Sequence, residues 1–77
     1  MEWTKFENHL EKELIFSDFR EAMGAMVRIS YIAEEMNHHP EWSNVYNRVD
    51  VTLTTHDVDG LSSLDIMLAQ KMDQLTA

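Results

Sequence analysis

Cysteine is absent from this 77-residue chain, and its absence excludes a disulfide framework, thiolate zinc sites and cysteine catalysis. Long hydrophobic runs are also missing, because unbroken apolar stretches reach only three or four residues. We therefore expect neither a membrane span nor a signal peptide. Basic residues are few and scattered, with 6 Lys and Arg against 14 Asp and Glu for a net charge of −8. Because direct nucleic-acid binding needs clustered Lys and Arg, we expect none. The missing apolar runs and the ordinary start Met1-Glu2-Trp3-Thr4 predict a cytoplasmic protein without membrane contacts.

The small size of the chain limits how it can be stabilised. With 77 residues and 44% hydrophobic content, we expect one domain over residues 1–77, because the chain is too short for two cores. In chains of roughly 70–80 residues a core seldom supplies more than about 3–5 kcal/mol, so small domains rely on disulfides, metals or oligomerisation. Since cysteine is absent and the apolar content is high, we predict a homodimer or homotetramer.

Hydrophobic periodicity predicts the element order strand, strand, helix, strand, helix. Polar and apolar residues alternate within residues 3–16, which indicates two short strands around a turn at Asn8-His9. The same period of two runs through residues 45–56 and predicts one long strand with His56 at its C-terminal end. This order is typical of an α+β fold, a small antiparallel sheet with helices packed on one face.

The first predicted helix lies between the two strand regions. Asp18 and Glu21 have the spacing of a capping box at its start. Pro40 disfavours helical geometry in the residue before it, so we expect the helix to end near Asn37 or His38. Its predicted apolar stripe consists of Phe19, Ala22, Met23, Met26, Ser30 and Ala33.

The second predicted helix is apolar over much of its circumference. It begins at Ser62, and Asp65 three positions later completes its cap. A helix with so wide an apolar surface needs a neighbour on two sides, and in so small a chain the second neighbour is most simply another subunit. The stripe consists of Leu61, Leu64, Leu68 and Leu75 and is widened by Ile66, Met67, Ala69 and Met72.

Three of the four histidines lie at the ends of predicted elements, and this placement allows three interpretations. His38 and His39 close the first helix and His56 closes the long strand; each could be an ordinary surface residue. Three imidazoles also make a metal site with an open position, but adjacent residues rarely reach one metal. The third interpretation is general acid or base catalysis, because a helix C-terminus and Glu34, one turn before His38, favour a protonated imidazole.

Residues around the histidines have structural as well as functional explanations. Pro40 and Trp42 offer flat apolar surfaces for a heterocycle, although Trp42 could equally belong to the core. The six methionines are interpreted as core residues. The run Asp57-Val58-Asp59-Gly60 resembles part of a calcium loop, but a third acidic position and the closing glutamate are missing, so we exclude calcium.

Taken together, the motifs are specific enough to indicate a family. A double His-Pro followed by Thr-His-Asp at this separation is far more specific than either motif alone, and over residues 10–75 the chain closely resembles the pterin-4a-carbinolamine dehydratases, also called 4a-hydroxytetrahydrobiopterin dehydratases. The animal member of this family doubles as a dimerisation cofactor of a homeodomain transcription factor. The matching motifs are His38-His39-Pro40-Glu41-Trp42, Val45-Tyr46-Asn47-Arg48-Val49, Leu53-Thr54-Thr55-His56-Asp57, Gly60-Leu61 and Asp65.

The resemblance implies a reaction and a set of residue roles. Family members dehydrate a 4a-hydroxytetrahydropterin to the quinonoid dihydropterin and so recycle the pterin cofactor of aromatic amino-acid hydroxylases; the pterin is the substrate, and no metal or other cofactor is used. By resemblance His38 and His56 act as acids or bases, His39 chiefly binds substrate, and Glu34 supports His38. Further substrate-binding or supporting roles are expected for Pro40, Trp42, Thr55 and Asp57.

The resemblance also leaves a second function open. It implies assembly into dimers and often tetramers, with the last helix contributing to the tetramer core. The alternative to an enzyme is therefore a dimerisation or interaction module that stabilises a transcription factor or another protein partner.

Overall fold

Two pairs of strands, each followed by a helix, form this protein. The computed structural model describes residues 3–76. Neighbouring strands are all antiparallel and lie in the order β1-β2-β4-β3. The predicted α+β class, a small antiparallel sheet with two helices, is confirmed. In chain order the elements are β1 (Thr4–Lys5), β2 (Leu10–Ile15), α1 (Phe19–Met36), β3 (Glu41–Val45), β4 (Arg48–Leu53), a 3₁₀ turn (His56–Val58) and α2 (Ser63–Thr76).

The single long strand predicted over residues 45–56 is wrong, because the chain reverses at Tyr46 and Asn47 to form the β3–β4 hairpin. Across a two-residue connection the alternation changes phase, because paired residues face the same side: Trp42 pairs with Val51, whereas Val45 pairs with Arg48 and is 60% exposed. In the sequence Val45 continues the odd-numbered apolar pattern of β4, which hides the turn. No glycine marks the turn; Tyr46 itself takes a left-handed φ of 51°. The side-chain amide of Asn44 stabilises the turn by donating to the carbonyls of Tyr46 and Arg48 at 3.1 and 2.8 Å. The element order therefore gains one strand.

One face of the sheet packs against the helices and forms one side of the hydrophobic core. In β2 and β4 every second residue points to this face, and Leu10 pairs with Leu53 while Leu14 pairs with Val49. These side chains and Val51 are buried against both helices. The alternation predicted for β2 is confirmed, and the inward-facing residues of β4 are also as expected.

The helix α1 lies on this face, but it is rotated relative to the predicted stripe. Asp18 caps it as expected, since its carboxylate accepts from the Glu21 N–H at 2.8 Å. The buried face is lined by small residues and Ile29, whereas Phe19 and Met23 are exposed. Small side chains let the helix approach its neighbours closely, and the larger Met26, Ile32 and Met36 pack partly buried at the edge of this contact. The buried residues of α1 are Ala22, Ala25, Ile29 and Ala33.

The helix α2 packs beside α1 and completes the core with Leu68, Ala69 and Met72. Ile66 and Met67 lie off this buried face and are exposed in the single chain, as expected. The expectation that Met72 also lies off the core is wrong, because Met72 faces the core and is fully buried. Within residues 3–76 neither helix is both long enough and apolar enough to cross a membrane.

Candidate active site

The C-terminus of α1 places His38 and His39 in different environments. Asn37 adopts the left-handed conformation (φ 52°, ψ 42°), and its N–H donates to the carbonyls of Ala33 and Glu34, which ends the helix. The N–H of His38 also donates to the Ala33 carbonyl, at 3.0 Å. This sharp change of direction buries the side chain of His38 and leaves that of His39 exposed.

The loop after β4 positions His56. Thr55 and Gly60 close the loop through two backbone hydrogen bonds, from Thr55 N to Gly60 O at 2.8 Å and from Gly60 N to Thr55 O at 3.2 Å. Between them the chain makes the 3₁₀ turn His56–Val58, and Asp59 after it has a left-handed φ of 52°. His56 therefore lies in a closed loop, not at the end of a strand as predicted.

One cavity of about 410 Å³ brings most of the predicted site residues together. Its size falls within the range of small-molecule sites, about 300–1,000 Å³. Three different parts of the chain meet here: the end of α1 with the start of β3, the loop after β4, and the first turn of α2. The predicted residues that line it are His38, His39, Pro40, Thr55, His56 and Asp57, and the others are Asn37, Glu41, Thr54 and Leu64.

Glu34 and Trp42 line a neighbouring cavity of about 390 Å³, which shares His39 and Pro40 with the first. Trp42 is half-buried and also packs against the core. Trp42 therefore contributes to the core and also lines a cavity next to His39; its role as a flat surface for a heterocycle stays a prediction.

Every histidine of the first cavity is hydrogen-bonded through Nε2 to a carboxylate. Two of these pairs are solvent-exposed, since the side chain of His39 is 56% exposed and that of His56 is 81% exposed. Exposed pairs of this kind contribute about 0–1 kcal/mol. The pairs are His38 with Asp65 at 2.6 Å, His39 with Glu34 at 2.7 Å and His56 with Glu41 at 3.0 Å.

The partner expected for His38 was wrong. Glu34 precedes His38 by one helical turn, but its carboxylate contacts His39. The physical reason is the left-handed Asn37, which ends the helix before His38, so the spacing of four residues no longer places the two side chains on one helical face.

Asp65 is the partner of His38, and it lies 27 residues further along the chain. Its side chain is fully buried, and that of His38 is only 10% exposed. The sequence pattern identified Asp65 as a helix-capping residue and as part of the family motif, and it does cap α2: its Oδ2 accepts from the Ser62 N–H at 3.0 Å. The contact with His38 had no separate signal in the sequence.

Another hollow, of about 290 Å³, adjoins the site and is lined by His9 together with His56 and Glu41. A larger hollow of about 600 Å³ over the open face of the sheet is lined by residues of β1, β2 and β4 and contains no histidine. The fourth histidine, His9, lies in the β1–β2 turn, where it contacts Asn8 and Glu11. Among residues 3–76 no three His, Asp or Glu side chains are arranged to hold a metal ion.

Comparison with known proteins identifies the family. The sequence profile described as pterin 4 alpha carbinolamine dehydratase matches residues 1–75. The chain belongs to the pterin 4 alpha carbinolamine dehydratase family. A relative from Burkholderia vietnamiensis (strain G4 / LMG 22486) is 60% identical over 97% of this chain and 76% of its own length. Another from Jannaschia sp. (strain CCS1) is 58% identical over 86% of this chain and 67% of its own length. Both carry the family's name.

Two solved structures are similar to this chain, one in sequence and fold and the other in fold alone. A crystal structure described as a transcriptional coactivator/pterin dehydratase from Brucella melitensis has a TM-score of 0.94 and 43% identity, over 97% of this chain and 82% of that one. A pterin dehydratase-like protein described as a RuBisCO assembly factor in the alpha-carboxysome has a TM-score of 0.80 at 17% identity, over 99% and 88% of the two chains. At that identity the second likeness concerns the fold alone.

Proposed function

We propose that this protein converts a 4a-hydroxytetrahydropterin to the quinonoid dihydropterin and water, with histidines as general acid and base. The observation that carries the proposal is the cavity lined by His38, His39 and His56 in a chain of the pterin 4 alpha carbinolamine dehydratase family. Imidazole suits this role because it is the side chain that most readily exchanges protons near neutral pH. In the cell the reaction would recycle, in the cytoplasm, the pterin used by aromatic amino-acid hydroxylases.

The proposed chemistry moves two protons and breaks one bond. A general acid gives a proton to the 4a-hydroxyl, the C4a–O bond breaks, and water leaves. A general base removes the proton from N5, and its electron pair forms the C4a–N5 double bond of the quinonoid product. We assign these two roles to His38 and His56, and we assign His39, which is exposed and held by Glu34, to substrate binding. The pterin is the substrate and no metal or cofactor takes part.

The remaining residues of the cavity would hold and orient the flat pterin. Pro40 and Leu64 offer apolar surface on one part of the lining. Asp57, an exposed carboxylate of the 3₁₀ turn that lines the cavity, would accept hydrogen bonds from pterin N–H groups. Trp42, through the neighbouring cavity, would support the wall formed by Pro40 and His39.

Activity measurements on histidine variants test this function. The purified protein is mixed with a freshly generated 4a-hydroxytetrahydropterin, and its loss is followed by ultraviolet absorbance against the spontaneous rate. General acid–base catalysis contributes about 10²–10⁴-fold, so His38→Ala and His56→Ala should each lose most of the acceleration. His9→Ala is the matched control and should keep it, because His9 lines the adjoining hollow with His56 but not the cavity that contains all three candidate histidines. Unchanged rates in both cavity variants would refute the assignment.

The exposed apolar surface of the helices supports a second function in assembly. Four large residues of α1 lie at intervals of four and are exposed in the single chain, namely Phe19, Met23, Val27 and Tyr31. Burying one such side chain is worth about 1.5–3 kcal/mol, so a partner surface here would stabilise a domain this small. We propose that this surface of α1 and the exposed Ile66 and Met67 of α2 mediate a homodimer or homotetramer, and that another protein partner is the alternative occupant.

Sedimentation velocity of the purified chain separates the two occupants of this surface. A homo-oligomer at micromolar concentration supports self-assembly. A stable monomer without dehydratase activity, together with recovery of a defined protein complex from native cells, would favour the interaction module over the enzyme.

A further inference from the structure

The buried carboxylate of Asp65 has more hydrogen-bond partners than helix capping requires. Its Oδ2 accepts from the Ser62 N–H at 3.0 Å and from the Thr55 hydroxyl at 2.7 Å. Its Oδ1 lies 2.6 Å from Nε2 of His38. The side chain is fully buried, and no lysine or arginine within residues 3–76 forms an ion pair with it. A buried carboxylate is costly unless donors surround it, so His38 is one of three groups that satisfy it.

The two sides of this carboxylate are not interchangeable. A backbone N–H can only donate, so the oxygen that faces Ser62 must accept. On the other side, a proton shared between a carboxylate and an imidazole resides on nitrogen, the more basic group. Nε2 of His38 therefore carries a hydrogen and donates it to Oδ1 of Asp65.

The second ring nitrogen of His38 is then the one available for chemistry. Nδ1 has no hydrogen-bond partner within residues 3–76. No buried side-chain nitrogen or oxygen in that range lacks a partner, so Nδ1 belongs to the small exposed part of the ring. His38 lines the cavity with His39 and His56, so a substrate there meets the exposed part of the ring, to which Nδ1 belongs.

We infer that Asp65 is a positioning residue that holds His38 in the Nε2–H tautomer, so that every proton His38 exchanges with a substrate passes through Nδ1. The inference rests on the proposed function for the substrate, but its statement about the tautomer stands on the contacts alone. When His38 takes up a second proton, the same carboxylate stabilises the imidazolium that forms. In both protonation states Asp65 keeps the ring in one orientation.

Asp65→Asn reverses the hydrogen-bond direction while keeping the shape of the side chain. The amide oxygen must stay on the side of Ser62 and Thr55, because both donate to it. The amide NH₂ therefore faces His38, and since it cannot accept, Nε2 must accept from it. The proton moves to Nδ1, which is the wrong tautomer for a base acting through Nδ1.

Ring ¹⁵N spectra and rates measured on the same samples test this inference. Two-bond ¹H–¹⁵N correlations of ¹⁵N-histidine protein, with His38 assigned by its absence in His38→Gln, should show Nε2–H in the wild type and Nδ1–H in Asp65→Asn. The dehydration rate of Asp65→Asn should fall by about 10²-fold or more. Ser62→Ala is the matched control: it loosens the same cap but leaves Asp65 facing His38, so tautomer and rate should stay close to wild type.

Each outcome bears on the inference separately from the proposed function. A wild-type Nδ1–H tautomer overturns the inference, and this measurement does not depend on whether any variant folds. A switched tautomer in Asp65→Asn with an unchanged rate also overturns it. If Ser62→Ala loses as much activity as Asp65→Asn, the network is merely structural. A wild-type protein that shows the Nε2–H tautomer but no dehydration would remove the proposed reaction and leave the positioning of His38 in place.

Discussion

Thr55 donates one hydrogen bond to the buried carboxylate of Asp65, and replacing it by valine isolates that bond. The hydroxyl of Thr55 donates to Oδ2 of Asp65 at 2.7 Å and lies 2.7 Å from Oγ of Ser62. Because the Thr55 proton is used by Asp65, the Ser62 hydroxyl must donate to Thr55, while its own oxygen accepts from the Leu64 N–H at 3.2 Å. Thr55→Val keeps the side-chain shape and removes the central link of this chain.

The expected loss of stability follows from the charge and burial of the acceptor. A hydrogen bond to a charged group is worth about 1.5–3 kcal/mol, and water cannot replace it at the fully buried Asp65. Thr55→Val should therefore lower the free energy of unfolding by about 1.5–3 kcal/mol. At about 4–8 °C per kcal/mol for a domain of this size, Tm should fall on the order of 10 °C. Thr55→Ser keeps the hydroxyl and loses one methyl group, worth about 0.8 kcal/mol.

Urea denaturation followed by far-ultraviolet circular dichroism measures these differences. All variants are compared at one protein concentration, because dissociation of an oligomer would add to the unfolding free energy. A double-mutant cycle with Asp65→Asn then isolates the coupling between the two side chains. The reasoning is refuted if Thr55→Val costs no more than Thr55→Ser, or if the effects of Thr55→Val and Asp65→Asn simply add.

Two further predictions concern the β3–β4 turn and the helical surface. Tyr46 has a left-handed φ of 51°, and this conformation costs a residue with a side chain about 1–2 kcal/mol. Glycine avoids this strain but loses more conformational entropy on folding, which costs about 0.5–1 kcal/mol. Tyr46→Gly should therefore preserve or raise Tm in thermal melts, whereas Val45→Gly in the adjoining strand should lower it; equal losses would contradict the turn geometry. Met67→Glu puts a charge on the exposed apolar surface of α2, so it should reduce the sedimenting mass and Tm. Gln70→Glu adds the same charge at another exposed position of α2 and should change neither. An unaltered assembly in Met67→Glu would exclude Met67 from the interface.

Local signals determined much of this protein from its sequence. The cap at Asp18, the end of α1 before Pro40 and the cap of α2 at Ser62 all lie where the residues predict them, because capping and proline geometry act within a few residues. The inward-facing residues of β2 and β4 followed from alternation alone. The cavity residues on either side of Pro40 and around Thr55 were predicted from motifs that each span about five residues, and the structure brings them together.

Only the tertiary structure decided the relations between elements. Val45 matches the odd-numbered apolar pattern of β4 in the sequence, so periodicity could not show that the chain turns at Tyr46 and that Val45 faces away from the core. Several faces of α1 contain apolar residues, and the neighbour that α1 packs against selects the one with Ile29. Likewise, the pairing of His38 with Asp65 rather than Glu34 depends on how α2 packs against the end of α1. Sequence spacing determines which side chains share a face, but contacts across many residues depend on the packing of the whole chain, which no local pattern encodes.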